Sequence, residues 1–104
     1  MNDIKMPRDC NSMEQVRAGV DHLDRQFVEM LARRFGYMDA AARIKPNREA
    51  VRDEARKAEV KAKVDDAARE LGVDRALVER IYEDLIETSI AHELIEYDRR
   101  DTAR

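Results

Sequence analysis

The feature that most constrains this chain is a proline-free run of about thirty residues, Ser12 to Lys45, in which apolar residues recur at helical spacing. Val16, Val20, Leu23, Phe27 and Met30 follow one another at steps of four and three, and the pattern resumes at Tyr37, Ala41 and Ile44. A single helix of that length extends roughly 45–50 Å at about 1.5 Å per residue, longer than a compact small domain can cover on its own. The step between Met30 and Tyr37 falls on Arg34. A permanent cation on a face due for burial marks either a slipped register or a binding group.

The same logic places two further helices. "SMEQ" offers Ser12 as an N-cap with Gln15 three residues on, and the preceding residues 1–11 read as a flexible arm. Pro46 disfavours the α conformation in the residue before it, so the first helix ends near Lys45. "PNREAVRD" is a connection, Asp53 caps a short Ala-rich second helix running to Leu71, and Gly72 is its stop. Asp74 caps a third helix of medium length, whose wide stripe comprises Leu77, Val78, Ile81, Tyr82, Leu85, Ile86, Ile90, Leu94 and Tyr97, and the tail from residue 100 to 104 is expected to fray. The chain of 104 residues is 41% charged and 5% aromatic with three Gly and two Pro, which suits one all-α domain and argues against a sheet protein. The short second helix cannot cover the first, so a helical homodimer is the economical way to bury the long stripe.

Charge and composition exclude several functions. A net charge of −3 gives no basic field for nucleic acid or an anionic membrane, no segment has the length of a membrane span, and the N-terminus lacks a secretory apolar run. One Cys permits no internal disulfide, and neither His22 nor His92 has ligand-spaced companions for a metal. The expectation is a soluble cytoplasmic protein without metal or cofactor.

Polar residues interrupt the apolar faces at few places. Lys45 lies eleven residues beyond Arg34, about three turns on and within roughly 20° of the same direction, so both can look into one groove. On the third helix Ser89 and Glu93 are one turn apart among Leu85, Ile86, Ile90 and Leu94, and Arg56 follows Asp53 at the start of the second. Two or three cations, a hydroxyl and a carboxyl suit a small ligand that carries two carboxylates.

These residues carry a resemblance. "VRAGVDHLD" at 16–24, "RR" at 33–34, Lys45, "VRDEAR" at 51–56 and "SIAHE" at 89–93 resemble, in joint order and spacing, the all-helical chorismate mutase family. The opening "MPRDCNSMEQVRAGVDHLD" is particularly similar to the bacterial subgroup that includes isochorismate pyruvate lyase. The resemblance implies an intertwined homodimer and a reaction that needs no nucleophile, metal or redox cofactor: the Claisen rearrangement of chorismate to prephenate, or lysis of isochorismate to salicylate and pyruvate in the same pocket. It further implies that Arg17, Arg34 and Arg56 bind the substrate carboxylates, that Asp53 and Ser89 orient the substrate, and that Lys45 and Glu93 address the ether oxygen, with Arg34, Lys45 and Glu93 the catalytic set. Arg17 is 28 residues from Lys45, roughly 42 Å along a straight helix, so the two can touch one ligand only from different chains. Two positions depart from the family pattern. Glu93 stands where many mutases have Gln: an ionised carboxylate would repel the ether oxygen, whereas a protonated one can donate to it, and burial favours the neutral form while Lys45 favours the charged one. Lys57 stands where some members place a Glu that binds the ring hydroxyl.

Plainer roles compete with these. Arg34 alone could snorkel at a helix rim, Arg17 could pair with Asp21 at i, i+4, Asp53 could be only a cap, and Ser89 could bond back to the carbonyl one turn earlier. Asp21 and Asp24 read as structural groups, His22 and His92 as surface or rim residues, and Cys10 as inert. Long charged helices with a sustained stripe also fit a coiled-coil adaptor, but an adaptor has little use for an Arg in its seam facing a Ser and a Glu.

Overall fold

A computed structural model of the chain describes residues 3–103, with side chains through residue 101. It is all-helical: α1 covers Met13–Ile44, α2 covers Glu54–Leu71 and α3 covers Arg75–Ala103, with short 3-10 turns at Pro7–Asp9 and Arg48–Ala50. Among the described residues there is no strand, and no helix is long and apolar enough to cross a membrane. The chain forms two compact units, Met1–Gly36 and Tyr37–Arg104.

In the first unit, α1 begins at the capping box. The Ser12 hydroxyl accepts from the Gln15 amide at 3.2 Å, and the Gln15 side chain accepts from the Asn11 amide at 2.7 Å, one residue earlier than the usual return bond. The arm that precedes α1 carries a short element of its own. It makes the Pro7–Asp9 turn, and Ile4, Met6 and Pro7 line an apolar groove with Val16, Gly19, Val20 and Leu23. A Cβ built on Gly19 would meet the Lys5 carbonyl at 3.9 Å, so the arm's backbone runs close to the helix. The stripe of α1 nonetheless remains open: Val16, Val20, Leu23, Phe27 and Met30 are all exposed, Leu23 to 62%.

The second unit holds the core. Ala42, Val51, Ile86, Ile90 and Tyr97 are buried, and Val60, Tyr82 and Leu94 pack against them. Burying each large side chain contributes about 1.5–3 kcal/mol, so this small cluster fixes how α2, α3 and the connecting loop meet. Asp53 caps α2 by accepting from the Arg56 amide at 3.0 Å, and Asp74 caps α3 by accepting from the amides of Ala76 and Leu77. Gly72 ends α2 in the left-handed region at φ 70°, where a side chain would be strained, and the Val73 amide closes the turn on Ala68 at 2.9 Å.

The third helix is longer than its medium-length expectation. At 29 residues it approaches the 32 of α1 and extends into the segment expected to fray. Glu96 supports this extension, accepting from Arg99 at 2.6 Å and from Arg100 at 2.9 Å across the last turns. Arg104, the end of that expected tail, lies outside the described residues.

Candidate active site

The site begins with Glu93. It sits on α3 among Ile90, Leu94 and Tyr97, and only 3% of it is exposed. A carboxylate so enclosed costs several kcal/mol unless it is paired. The partner is Lys45, the first residue after α1, whose backbone amide still bonds to Ala41 at 2.9 Å and so holds the stem of the side chain in helical register. The Lys45 ammonium lies 3.0 Å from Glu93 Oε1 and donates to Oε2 at 3.1 Å. It also donates to the Val51 carbonyl at 3.4 Å. Oε1 is buried and held by the ion pair alone, with no well-directed hydrogen bond of its own. An ammonium has three N–H groups, and here they lie among three acceptor oxygens, the two of Glu93 and the Val51 carbonyl.

Ser89, one turn before Glu93 on α3, is also buried. Its hydroxyl donates to the Leu85 carbonyl at 2.7 Å, the back-bonding arrangement of a satisfied core serine. Asp53 and Arg56 sit together at the start of α2. There Asp53 is engaged as the cap, and the Arg56 guanidinium is drawn to Glu59, whose carboxyl it holds below the usual range, with help from Lys63. Both side chains would have to leave these partners to meet a ligand.

Arg17 and Arg34 belong to the first unit. Arg34 is half-buried on α1, whereas its apolar neighbours in the stripe, Met30 and Tyr37, are exposed. Arg17 is exposed, and the i, i+4 pair with Asp21 that its spacing allows is not among the ion pairs of the described residues.

Sequence reasoning missed several groups around the pair. His92 is no bare rim residue: its Nε2 lies 2.6 Å from Asp39, fastening α3 to the end of α1 across 53 positions of sequence. In the connecting loop, Arg48 grips Asp98 and Arg52 grips Glu87, each through two nitrogens. The signal was there in outline. Glu87 and Asp98 are eleven residues apart, three turns on one face of α3, and face two arginines in a segment read only as a connection.

Lys57, the departure noted above, points into a charge ladder between α2 and α3. Its ammonium lies 2.7 Å from Glu83 and 2.9 Å from Glu87, and Lys61 repeats the motif one turn later with Glu79 and Glu83. Hydrogen bonds to Glu83 and Glu87 push the Lys57 ammonium up to about 12. Those from Arg52 and Lys57 hold the Glu87 carboxyl down to about 2.

Comparison with known proteins agrees with this geometry. The sequence profile of the family described as chorismate mutase type II matches residues 16–94, the stretch that carries every side chain discussed above except those at Asp98 and in the flanking segments. A similar protein is the isochorismate pyruvate lyase of Pseudomonas aeruginosa, 33% identical over 91 residues, which cover 88% of this chain and 90% of that one. With a match of this extent over a chain in which, among the described residues, the only deeply buried carboxyl is paired with a lysine at the end of α1, the protein belongs to the chorismate mutase type II family.

Proposed function

We propose that the protein is a chorismate mutase, converting chorismate to prephenate at a site centred on Lys45 and Glu93. The observation that carries this is the Lys45 ammonium, held in a fixed place against a buried carboxylate and the Val51 carbonyl. A pericyclic rearrangement asks for no nucleophile. It asks for a dianion held in its reactive shape and for a fixed donor where negative charge grows as the C–O bond breaks. Lys45 is the donor to the ether oxygen. Arg34 and Arg56 take the two carboxylates, Arg56 leaving Glu59 to do so, and Asp53 and Ser89 fix the orientation.

On this reading the reaction requires Glu93 to donate a proton to the ether oxygen from the side opposite Lys45, which only the neutral carboxyl can do. Activity is expected to fall as pH rises, because the ionised carboxylate repels the ether oxygen. A pH–rate profile unchanged in Glu93→Gln removes this role.

The working unit is a homodimer in which Arg17 serves the partner's site. The exposed stripe of Val16, Val20, Leu23, Phe27 and Met30 supports it, since a stripe of this size in water favours a second helix against it. Two variants test the arrangement together. Arg17→Ala and Lys45→Ala are each expected to be inactive, yet unfolding and refolding them as a mixture should restore roughly a quarter of wild-type activity, because half the dimers are mixed and each has one intact site. No recovery on mixing would show that the arginine acts within its own chain or not at all.

Lysis of isochorismate is the second reading, favoured by the 33% identity to a protein of that activity over 88% of the chain. It uses the same donor at the same ether oxygen. Purified protein incubated separately with chorismate and isochorismate decides between them: prephenate supports the first reading, salicylate and pyruvate the second. Turnover of neither, with no rise in melting temperature on adding a dicarboxylate analogue of the transition state, would overturn both and favour the adaptor.

A further inference from the structure

The loop that follows Lys45 carries two arginines that neither the reaction nor the core requires. Arg48 donates to Asp98 from Nε at 2.9 Å and from Nη2 at 3.3 Å. Arg52 donates to Glu87 from Nη2 at 2.7 Å and from Nη1 at 3.1 Å, and Nη1 also reaches Glu54 at 2.9 Å. The two acceptors lie on α3 on either side of Glu93, six residues before it and five after. The loop therefore runs antiparallel to α3 and is pinned at both ends of the stretch that contains Ser89 and Glu93. Between the pins, Asn47 caps the Arg48–Ala50 turn by accepting from the Ala50 amide at 3.0 Å. That turn delivers Val51, whose side chain is 3% exposed and whose carbonyl holds the Lys45 ammonium.

Both pairs are about half exposed, with side-chain exposures of 55% and 53% for Arg48 and Asp98 and of 47% and 40% for Arg52 and Glu87. Ion pairs in water contribute little to folding. What a two-pronged pair supplies is direction, since a planar fork fits a carboxylate in one orientation only. We infer that Arg48 and Arg52 are positioning residues, which fix the register of this loop on α3 and through Val51 the place of the Lys45 ammonium on Glu93. The kinetic part rests on the proposed reaction; the structural part does not.

The test compares Arg48→Ala and Arg52→Ala with Arg75→Ala, which removes an equally two-pronged and exposed pair, Arg75–Asp65, remote from the loop. Arg75→Ala should leave kcat unchanged. The loop variants should lower kcat about ten- to a hundred-fold with little change in KM, as expected for a displaced donor, while melting no earlier than Arg75→Ala. Exchange of the charges in Arg48→Asp/Asp98→Arg should recover most of that loss, which a merely structural contact would not require. Nitrogen-15 NMR of the Lys45 ammonium gives a reading without substrate: a protected, resolved signal in wild type should broaden or exchange faster in both loop variants. If the alanine variants fail to fold, Arg48→Lys and Arg52→Lys keep the charge and remove the fork, and the same losses are expected. Wild-type kcat together with an unchanged Lys45 signal in the loop variants, or in the lysine pair, overturns the inference. If wild type turns over neither substrate, the proposed reaction fails and the Lys45 signal alone decides whether the pins position it.

Discussion

Two lysines of this chain show opposite uses of the same group. Lys57 lies in the α2–α3 ladder between two carboxylates, Glu83 and Glu87, both of which remain in contact with water. Its charge is more than matched. Lys45 meets a single carboxylate that is almost wholly enclosed, and one oxygen of that carboxylate has no directed donor. In the first arrangement each cation is shared between two carboxylates at the surface, although Glu83 Oε2, like Glu93 Oε1, is buried without a directed hydrogen bond. The second holds a cation and an acceptor in a fixed, incomplete arrangement, the condition in which a substrate can add interactions of its own. The Lys57 cation is taken up by the two α3 carboxylates it meets.

The sharpest way to break this contrast is Lys45→Ala, which is expected to lower kcat about a hundred- to a thousand-fold, the range for removing one fixed donor from a charge-stabilising site. It also strands Glu93, at a cost of about 1–3 kcal/mol in stability. Lys45→Ala/Glu93→Gln should regain that stability by thermal unfolding while activity stays lost; recovery of activity in the double variant would mean that Lys45 serves only to neutralise Glu93. The ladder is expected to show itself in acid. The Glu87 carboxyl has an ordinary value of 4.5 and is held down to about 2 in the fold, so the stability it contributes is complete above 4.5 and is lost as pH falls toward 2. Far-UV circular dichroism followed through that window should show helix loss that Glu87→Gln makes shallower. The smallest effect is Lys57→Ala: a modest drop in melting temperature, kcat within about two-fold, and a weaker dependence of stability on salt. A large loss of activity there would erase the distinction between the two lysines.

The helices were legible in the sequence because their signals are local. Ser12, Asp53, Gly72 and Asp74 act at the ends where their residue types place them, and Ile86, Ile90 and Tyr97 fall on the buried face that periodicity assigns to the third helix, whereas at the end of the first helix the buried residue is Ala42 and the expected Tyr37 and Ile44 are exposed. The Lys45–Glu93 pair was legible through family spacing, although 48 residues separate its members. What stayed hidden is the surface between elements. The pattern puts Glu87 and Asp98 on one face of α3 and two arginines in the loop, but it does not pair them, nor Asp39 with His92, because an exposed arginine in a loop has the same composition whether it grips a helix or waves in solvent. Serine 89 and Asp53 illustrate the reverse: the plain contacts weighed for them, a back-bond to Leu85 and a cap on Arg56, are the ones they make.

The turn at Gly72 sets an order of events. It joins α2 to α3 through three residues, so the Lys57–Glu83 and Lys61–Glu79 contacts close over short stretches of chain, and such local pairings form within microseconds to milliseconds. Lys45 must find Glu93 from the far side of that hairpin, at a higher entropic cost of closure. Folding kinetics should therefore report the hairpin in the transition state, with Gly72→Ala slowing folding and Lys45→Ala chiefly hastening unfolding. The scaffold is assembled before its chemistry, and the reactive corner is the last part to be made and the first to be lost.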